Sequence, residues 1–277
     1  MKDYKDFLKI LEEHPAFSEQ RMIIGSKGFS IPTFDDPQIL EITPENIEIL
    51  SSKGIRCSGN SLNVNRIIIE KNMEKIDLNL TFSSQGGNIL CIENKSRIKG
   101  TITFSGRDHI FVCGGESQNA VNFHVVYRTN ECGVFIGRGG SANSVNYWIE
   151  GPNRSICVGD DFLMSWGIWV RAADSHAIID LNERSVVNKP ESVVIGPHVW
   201  LGQDTTIMSG VGIGAGSIVG AKAVVTRSIP RTSVAAGIPA KVLRTGVSWS
   251  RQGHPSLEEI NQVVDSDILE YTPSLER

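Results

Sequence analysis

The chain of 277 residues lacks the features that mark several common classes of protein. Its five cysteines, Cys57, Cys91, Cys113, Cys132 and Cys157, are odd in number, widely spaced and form no Cys-x-x-Cys pair. That pattern argues against a disulfide framework or a zinc ribbon and predicts reduced thiols used as small apolar residues. No apolar run approaches the roughly 18 residues that a membrane-spanning helix needs. The opening MKDYKDFLKILEEH alternates charge with apolar residues where a secretory leader would carry an apolar core, so a cytoplasmic protein is expected. Nor are basic residues in excess: 27 Lys and Arg stand against 31 Asp and Glu, a net charge of -4. Such a balance gives no electrostatic reason to expect nucleic acid or an anionic membrane as partner.

Helical and simple strand periodicities are also missing from the stretch that organises the chain. From Ile195 an aliphatic residue recurs every sixth position, at Leu201, Ile207, Ile213, Val219 and Val225, and glycine follows it at Gly196, Gly202, Gly214 and Gly220. Six is neither the two of a strand nor the 3.6 of a helix. It fits a coil of short strands with one aliphatic residue per strand turned inward and small residues letting the chain bend. Three units then make a triangular turn of about 18 residues, and turns stack at roughly 4.8 Å.

Around this run the phase comes and goes. A second set six apart, Ile92, Ile98, Phe104 and Ile110, predicts degenerate early turns, with an excursion at 116–130 or 138–146 to absorb a later slip. Val170 and Ile195 are 25 residues apart, one more than four repeats, which predicts a loop over 175–192 that opens on His176. Tyr4, Phe7, Leu8 and Leu11 share a helical face ahead of Pro15, whereas residues 17–56 read as loops and short strands. Two prolines and a glycine between Ile229 and Pro239 predict the end of the coil. Ser256 and Glu259 read as a capping box opening a terminal helix with Leu257, Ile260 and Val264 on one face.

The run VVIGPHVWLGQDTTIMSGVGIGAGSIVGAKAVVTRSIPRTSVAAGIPAKVLR resembles the end of the hexapeptide-repeat acyltransferases, most of all the galactoside, maltose and polysaccharide O-acetyltransferases. The resemblance covers about residues 156–245 and implies an all-β, left-handed parallel β-helix of hexapeptide repeats with short N- and C-terminal helices. The expected division is an extension over 1–59, the β-helix over 60–245 and a helix and tail over 246–277.

Acetyl transfer from a thioester to a hydroxyl needs a base, donors for the oxyanion and a cleft that aligns both substrates. Imidazole has the right basicity for the first. Of six histidines, His14 and His254 lie beside prolines outside the coil, and His109 and His124 fall in the early turns with no evident partner. His198 lies mid-repeat and is expected to point into solvent. His176 stands where the coil breaks, 24 residues before Trp200 of the VWLG motif. In the resembling family the base is a histidine at that spacing, so the resemblance implies His176 as base and Trp200 beside the reacting centre. Trp200 as a subunit-interface anchor is the competing reading. Asp174 or a backbone carbonyl would orient the imidazole, although a solvated carboxylate in the loop is the expected state of Asp174.

The resemblance further implies acetyl-CoA as co-substrate, lying in a groove between subunits of a homotrimer. Backbone at Gln203 and Ala221 would meet the pantetheine arm, and Thr226, Arg227, Lys241 and Arg244 the 3'-phosphate end, where fixed cations suit a phosphate. Asn146 is the nearest match to an acceptor-binding asparagine. A zinc site would need convergent histidines, yet the position five after His198 is Gln203, so no metal is expected. The acceptor is expected to be a sugar hydroxyl of a surface or capsular polysaccharide, because the long N-terminal half favours a large acceptor. The rival readings are an N-acetyltransferase for an amino sugar nucleotide and a non-catalytic β-helix scaffold.

Overall fold

A computed structural model describes residues 3–20, 23–59, 64–83 and 85–273. The inward column is the one the six-residue beat predicts: Ile195, Leu201, Ile207, Ile213, Val219 and Val225 are all fully buried. Their strands form three faces. Val193–Ile195 pairs in parallel with Gly212–Ile213, Trp200–Leu201 with Ile218–Val219, and Thr206–Ile207 with Val224–Val225. In each face a residue lies against the one 18 positions on, as Ile195 against Ile213.

The repeat glycines are required for a reason other than the one expected. Gly196, Gly202, Gly214 and Gly220 do not bend the chain, for none is among the residues of positive φ. They let successive turns approach: a Cβ on Gly202 would lie 2.6 Å from the Ala221 backbone nitrogen, and one on Gly214 2.2 Å from that of Arg231. Bending falls to the corner residues His198, Asp204, Gly210, Gly216 and Lys222, again six apart, with φ of 52, 57, 72, 69 and 61°. His and Asp are among the side chains that tolerate this left-handed conformation best.

Upstream the coil is built differently from the degenerate hexads expected. One face continues from the strand Arg66–Glu70 through Ile89–Ile92, Ile110–Cys113, Gly133–Ile136 and Ser155–Val158 to Val193–Ile195. The opposite side consists of single long strands, Asp77–Phe82, Ile98–Phe104, Val121–Tyr127 and Ser141–Ile149. Ile98 and Phe104 therefore share one strand, and their spacing of six is three periods of two. The excursions expected at 116–130 and 138–146 are absent, because most of those residues form the strands Val121–Tyr127 and Ser141–Ile149.

A bulge converts two sides into three. The register of Ser141–Ile149 shifts between Ala142 and Val145. Ser141 and Ala142 then carry Leu163–Met164, while Val145 to Trp148 carry Ile168–Arg171. Both columns continue into the hexad turns, through Trp200–Leu201 and Thr206–Ile207. The predicted loop after the second column is present as an outlying hairpin, Ile179–Asp180 against Ser185–Val186.

The coil does not end at Ile229. That residue bridges Ile213, Ser233–Gly237 adds a parallel strand to Ile218–Val219, and only the antiparallel Ala240–Thr245 closes the edge. At the other end the first parallel rung is Ile55–Gly59, against Asp77–Phe82.

Helix α1, Tyr4–Glu13, is capped by Asp3 and buries Phe7 and Leu11 as the pattern requires. With Phe17 and Phe29 it packs on Cys91, Val112, Phe135 and Cys157, which point outward from the first face. Carboxylates at the corners fasten this extension: Asp160 accepts from the Ser30 hydroxyl at 2.6 Å, and Glu93 from the Thr33 amide at 3.1 Å. Residues 17–56, read from sequence as loops and strands, also contain helix α2, Pro44–Ser52. Helix α3, Leu257–Val264, opens with the predicted capping box, but Leu257, Ile260 and Val264 remain exposed. All five cysteines are free, and burial pushes the Cys113 and Cys157 thiols up to about 12.

Candidate active site

The strand Ile168–Arg171 ends at a corner of the triangle, and the chain leaves it for the hairpin instead of turning onto the next face. His176 stands in this departure, exposed. It lines a pocket of about 140 Å³ with Glu150, Asp174, Val186, Asn188 and Pro190. Asn188 holds the loop closed, its Nδ2 donating to the His176 carbonyl at 2.8 Å and to Asp174 Oδ2 at 3.1 Å. Asp174 is thus bound to Asn188, and the loop geometry, more than an Asp174–imidazole bond, sets where the ring lies.

Trp200 opens the second face and is 41% exposed, in register between Leu163 and Ile218. It does not line the His176 pocket. His176 leaves the corner between the third and first faces, whereas Trp200 follows the corner between first and second, so one whole face separates them within a chain. Asn146 lies on the third face, in register with Trp169 and His124, its Nδ2 donating to the Ile168 carbonyl at 3.3 Å. It borders a separate polar hollow with Lys99, Asn122 and Asn143.

The residues expected to hold the nucleotide gather at the C-terminal end of the coil. Thr226 and Arg227 follow the strand Val224–Val225, and Lys241 and Arg244 lie on Ala240–Thr245. All four are exposed, and among the described residues the three cations form no ion pair. Gln203 and Ala221 are exposed corner residues; the Gln203 carbonyl accepts from the Lys222 amide at 2.7 Å.

His198, expected in solvent, is 7% exposed and structural. Its Nε2 donates to the Trp249 carbonyl at 2.9 Å and Nδ1 meets Asp161 Oδ2 at 2.6 Å. Burial opposes ionisation of Asp161, but hydrogen bonds from His198 and Arg251 outweigh it and hold the carboxyl below its usual range. Arg251 bonds Asp161 Oδ1 at 2.7 Å. Trp249 and Arg251 escape a reading of the sequence because their partners come from distant segments. The only available signal is that Asp161 and His198 occupy one corner in successive turns, next to Leu163 and Trp200 that pair. A second cavity of about 420 Å³ lies under this tail, lined by Thr232, Trp249, Ile260 and Leu269, and contains none of the expected site residues.

His109 is also a core residue. It stacks on Tyr127 at 4.7 Å, donates from Nε2 to the Ser105 carbonyl and accepts at Nδ1 from the Cys132 amide.

A parallel β-helix whose inward residues recur at every sixth position from Ile195 to Val225 is a coil of hexapeptide repeats. Residues 192–227 match the family model described as bacterial transferase hexapeptide (six repeats). It is 28% identical over 160 residues to the polysialic acid O-acetyltransferase of Escherichia coli O1:K1, which covers 58% of this chain and 44% of that protein. To the galactoside O-acetyltransferase of Escherichia coli K12 it is 31% identical over 119 residues, 43% of this chain and 57% of that one. The chain thus matches about half the length of these relatives. The crystal structure of the polySia specific acetyltransferase NeuO superposes with a TM-score of 0.65 at 24% identity, over 73% of this chain and 91% of that one, a likeness of fold. No helix among the described residues is long and apolar enough to cross a membrane.

Proposed function

We propose that the protein transfers the acetyl group of acetyl-CoA to a hydroxyl of a sugar, the sugar being a unit of a surface or capsular polysaccharide. The observation that carries this reading is His176, exposed in a pocket where the coil breaks into the hairpin, its loop fixed by Asn188.

In this mechanism the His176 imidazole takes the proton of the acceptor hydroxyl as its oxygen attacks the thioester carbonyl. The tetrahedral intermediate then collapses, breaking the C–S bond, and the departing coenzyme A sulfur recovers the proton from the imidazolium. No acyl-enzyme is needed. Thr226, Arg227, Lys241 and Arg244 would hold the 3'-phosphate end; exposed cations with no carboxylate partner suit that role. Backbone at Gln203 and Ala221 would line the pantetheine arm, and Asn146 would contact the acceptor.

Because a face of the triangle separates His176 from Trp200, the site is completed between copies, His176 of one facing the Trp200 side of the next in a homotrimer. Exposed apolar residues on the hairpin and the C-terminal edge, Leu181 at 86% and Leu243 at 67%, support such packing. Free thiols and the need for acetyl-CoA support action in the cytoplasm. The test is coenzyme A release with a panel of glycans, for wild type and His176→Ala. A loss on the order of 100-fold or more is expected for the variant, and unchanged turnover would remove His176 as the base.

A further inference from the structure

Next to the His176 pocket lies a cluster that the acetyl transfer leaves unused. Trp148 points outward from the strand Ser141–Ile149, in register with Arg171 on one side and Val126 on the other. The Arg128 guanidinium carbon lies 5.3 Å from the centre of the indole and that of Arg171 5.9 Å. Trp148 Nε1 donates to Glu150 Oε2 at 3.3 Å, and Glu150 lines the pocket with Asp174 and His176. Arg171 Nε is tied to the Ala173 carbonyl at 3.3 Å, which places this arginine at the foot of the same loop.

Among the described residues the two guanidiniums here make no ion pair. Six other arginines, Arg56, Arg66, Arg107, Arg138, Arg154 and Arg251, find carboxylates. Arg128 and Arg171 are absent from those ion pairs, and among the described residues neither has a carboxylate within 4.0 Å, although Glu150 is close by on the indole. Two guanidiniums gathered on one ring repel each other, and the indole offsets that only in part. A carboxylate shared between them would remove the repulsion, and the planar fork of each matches it in geometry.

We infer that Arg128 and Arg171, held on Trp148, form a carboxylate-recognising subsite that selects acidic sugars for presentation of a hydroxyl to His176. This rests on the acetyl-transfer reading for its purpose, but binding can be measured without turnover.

The experiment compares a short oligomer of sialic acid with the same oligomer after reduction of its carboxyl groups, by calorimetric titration against the full chain. Wild type and His176→Ala are expected to bind the carboxylated oligomer at least tenfold more tightly. The double variant Arg128→Gln, Arg171→Gln should lose that preference while keeping the wild-type melting temperature and affinity for coenzyme A. In turnover, KM for the acidic acceptor should rise tenfold or more in the double variant, with kcat changed far less. Equal binding of the two oligomers by wild type, or no binding of the carboxylated one, would overturn the inference. So would a double variant that keeps its preference, or one that loses coenzyme A instead, since the anion would then be a cofactor phosphate. Carboxylate-dependent binding with no acetyl transfer to any glycan would leave the subsite standing and sink only the proposed activity.

Discussion

His198 and Trp249 lie face to face, ring centres 4.3 Å apart and planes 8° from parallel, and each donates to the other's backbone carbonyl. This reciprocal pair, with Arg251 on Asp161, straps the tail after Thr245 across a corner of the coil. The corner can accept it because the column running Gly139, Asp161, His198, Gly216 sets two polar residues between glycines, all at positive φ. Trp249 is 6% exposed, so Trp249→Ala should remove on the order of 3 kcal/mol from tail docking. Amide hydrogen exchange over 246–273 should accelerate selectively while the strands of the first face stay protected. Uniform acceleration would mean that the tail is part of one global unit.

Asp161 makes the strap sensitive to acid. Its carboxyl is held below the usual range in the folded chain, so its contribution is present above the unfolded value near 3.9 and fades as pH falls through the folded one. Asp161→Asn should therefore speed tail exchange at neutral pH, and the gap between variant and wild type should close in strong acid.

A second acid sensitivity lies in the core. Burial drives the His109 imidazole down to about 4, and both ring nitrogens are satisfied in the neutral form. Burial lowers His14 as well. A folded value below the unfolded 6.5 means that stability is complete above 6.5 and declines as pH falls towards 4, because the unfolded chain binds the proton first. For His109 the span amounts to about 3 kcal/mol at most. Urea unfolding at pH 7 and pH 4.5 should show this slope, and His109→Gln should flatten it despite its own cost in packing.

The repeat glycines supply a third comparison. Gly214→Ala sets a Cβ 2.2 Å from the Arg231 backbone nitrogen, where no flexible side chain can yield, and should destabilise by about 1–3 kcal/mol. Gly253→Ala meets nothing within 4 Å and should lie within about 0.5 kcal/mol of wild type in the same unfolding assay.

What could be read from the sequence follows from how local each signal is. The column Ile195 to Val225 was legible because one side chain per strand faces inward at fixed spacing, and the capping box at Ser256 because its partner is three residues away. The upstream turns are present, but their spacing misleads because long strands also bury residues at multiples of two, so Ile98 and Phe104 imitate a hexad. Nothing local betrays the bulge after Ala142, the strap at Trp249 or the Arg128–Trp148–Arg171 cluster, whose members meet only when turns stack. For the site, the break before Val193 located His176 and its loop, but the separation of His176 from Trp200 depends on which corner each occupies, and the count of residues between them does not carry that.

Asn188 Nδ2 is shared between the His176 carbonyl and Asp174, and Asn188 Oδ1 accepts from the Ile178 amide at 2.6 Å, so one amide spans both sides of the excursion. Replacing it by Asp keeps an acceptor for Ile178 but removes both donors and sets a carboxylate near Asp174. Asn188→Ala removes everything. If the amide acts by positioning His176, both variants should lower kcat, by roughly tenfold to 100-fold, since misplacing a base by about 1 Å has that cost. KM for coenzyme A should stay constant because none of its proposed contacts is among the groups Asn188 bonds, Asp174, His176 and Ile178. A loss of activity that tracks a fall in melting temperature instead would make the loop a structural element and leave the base to be sought elsewhere.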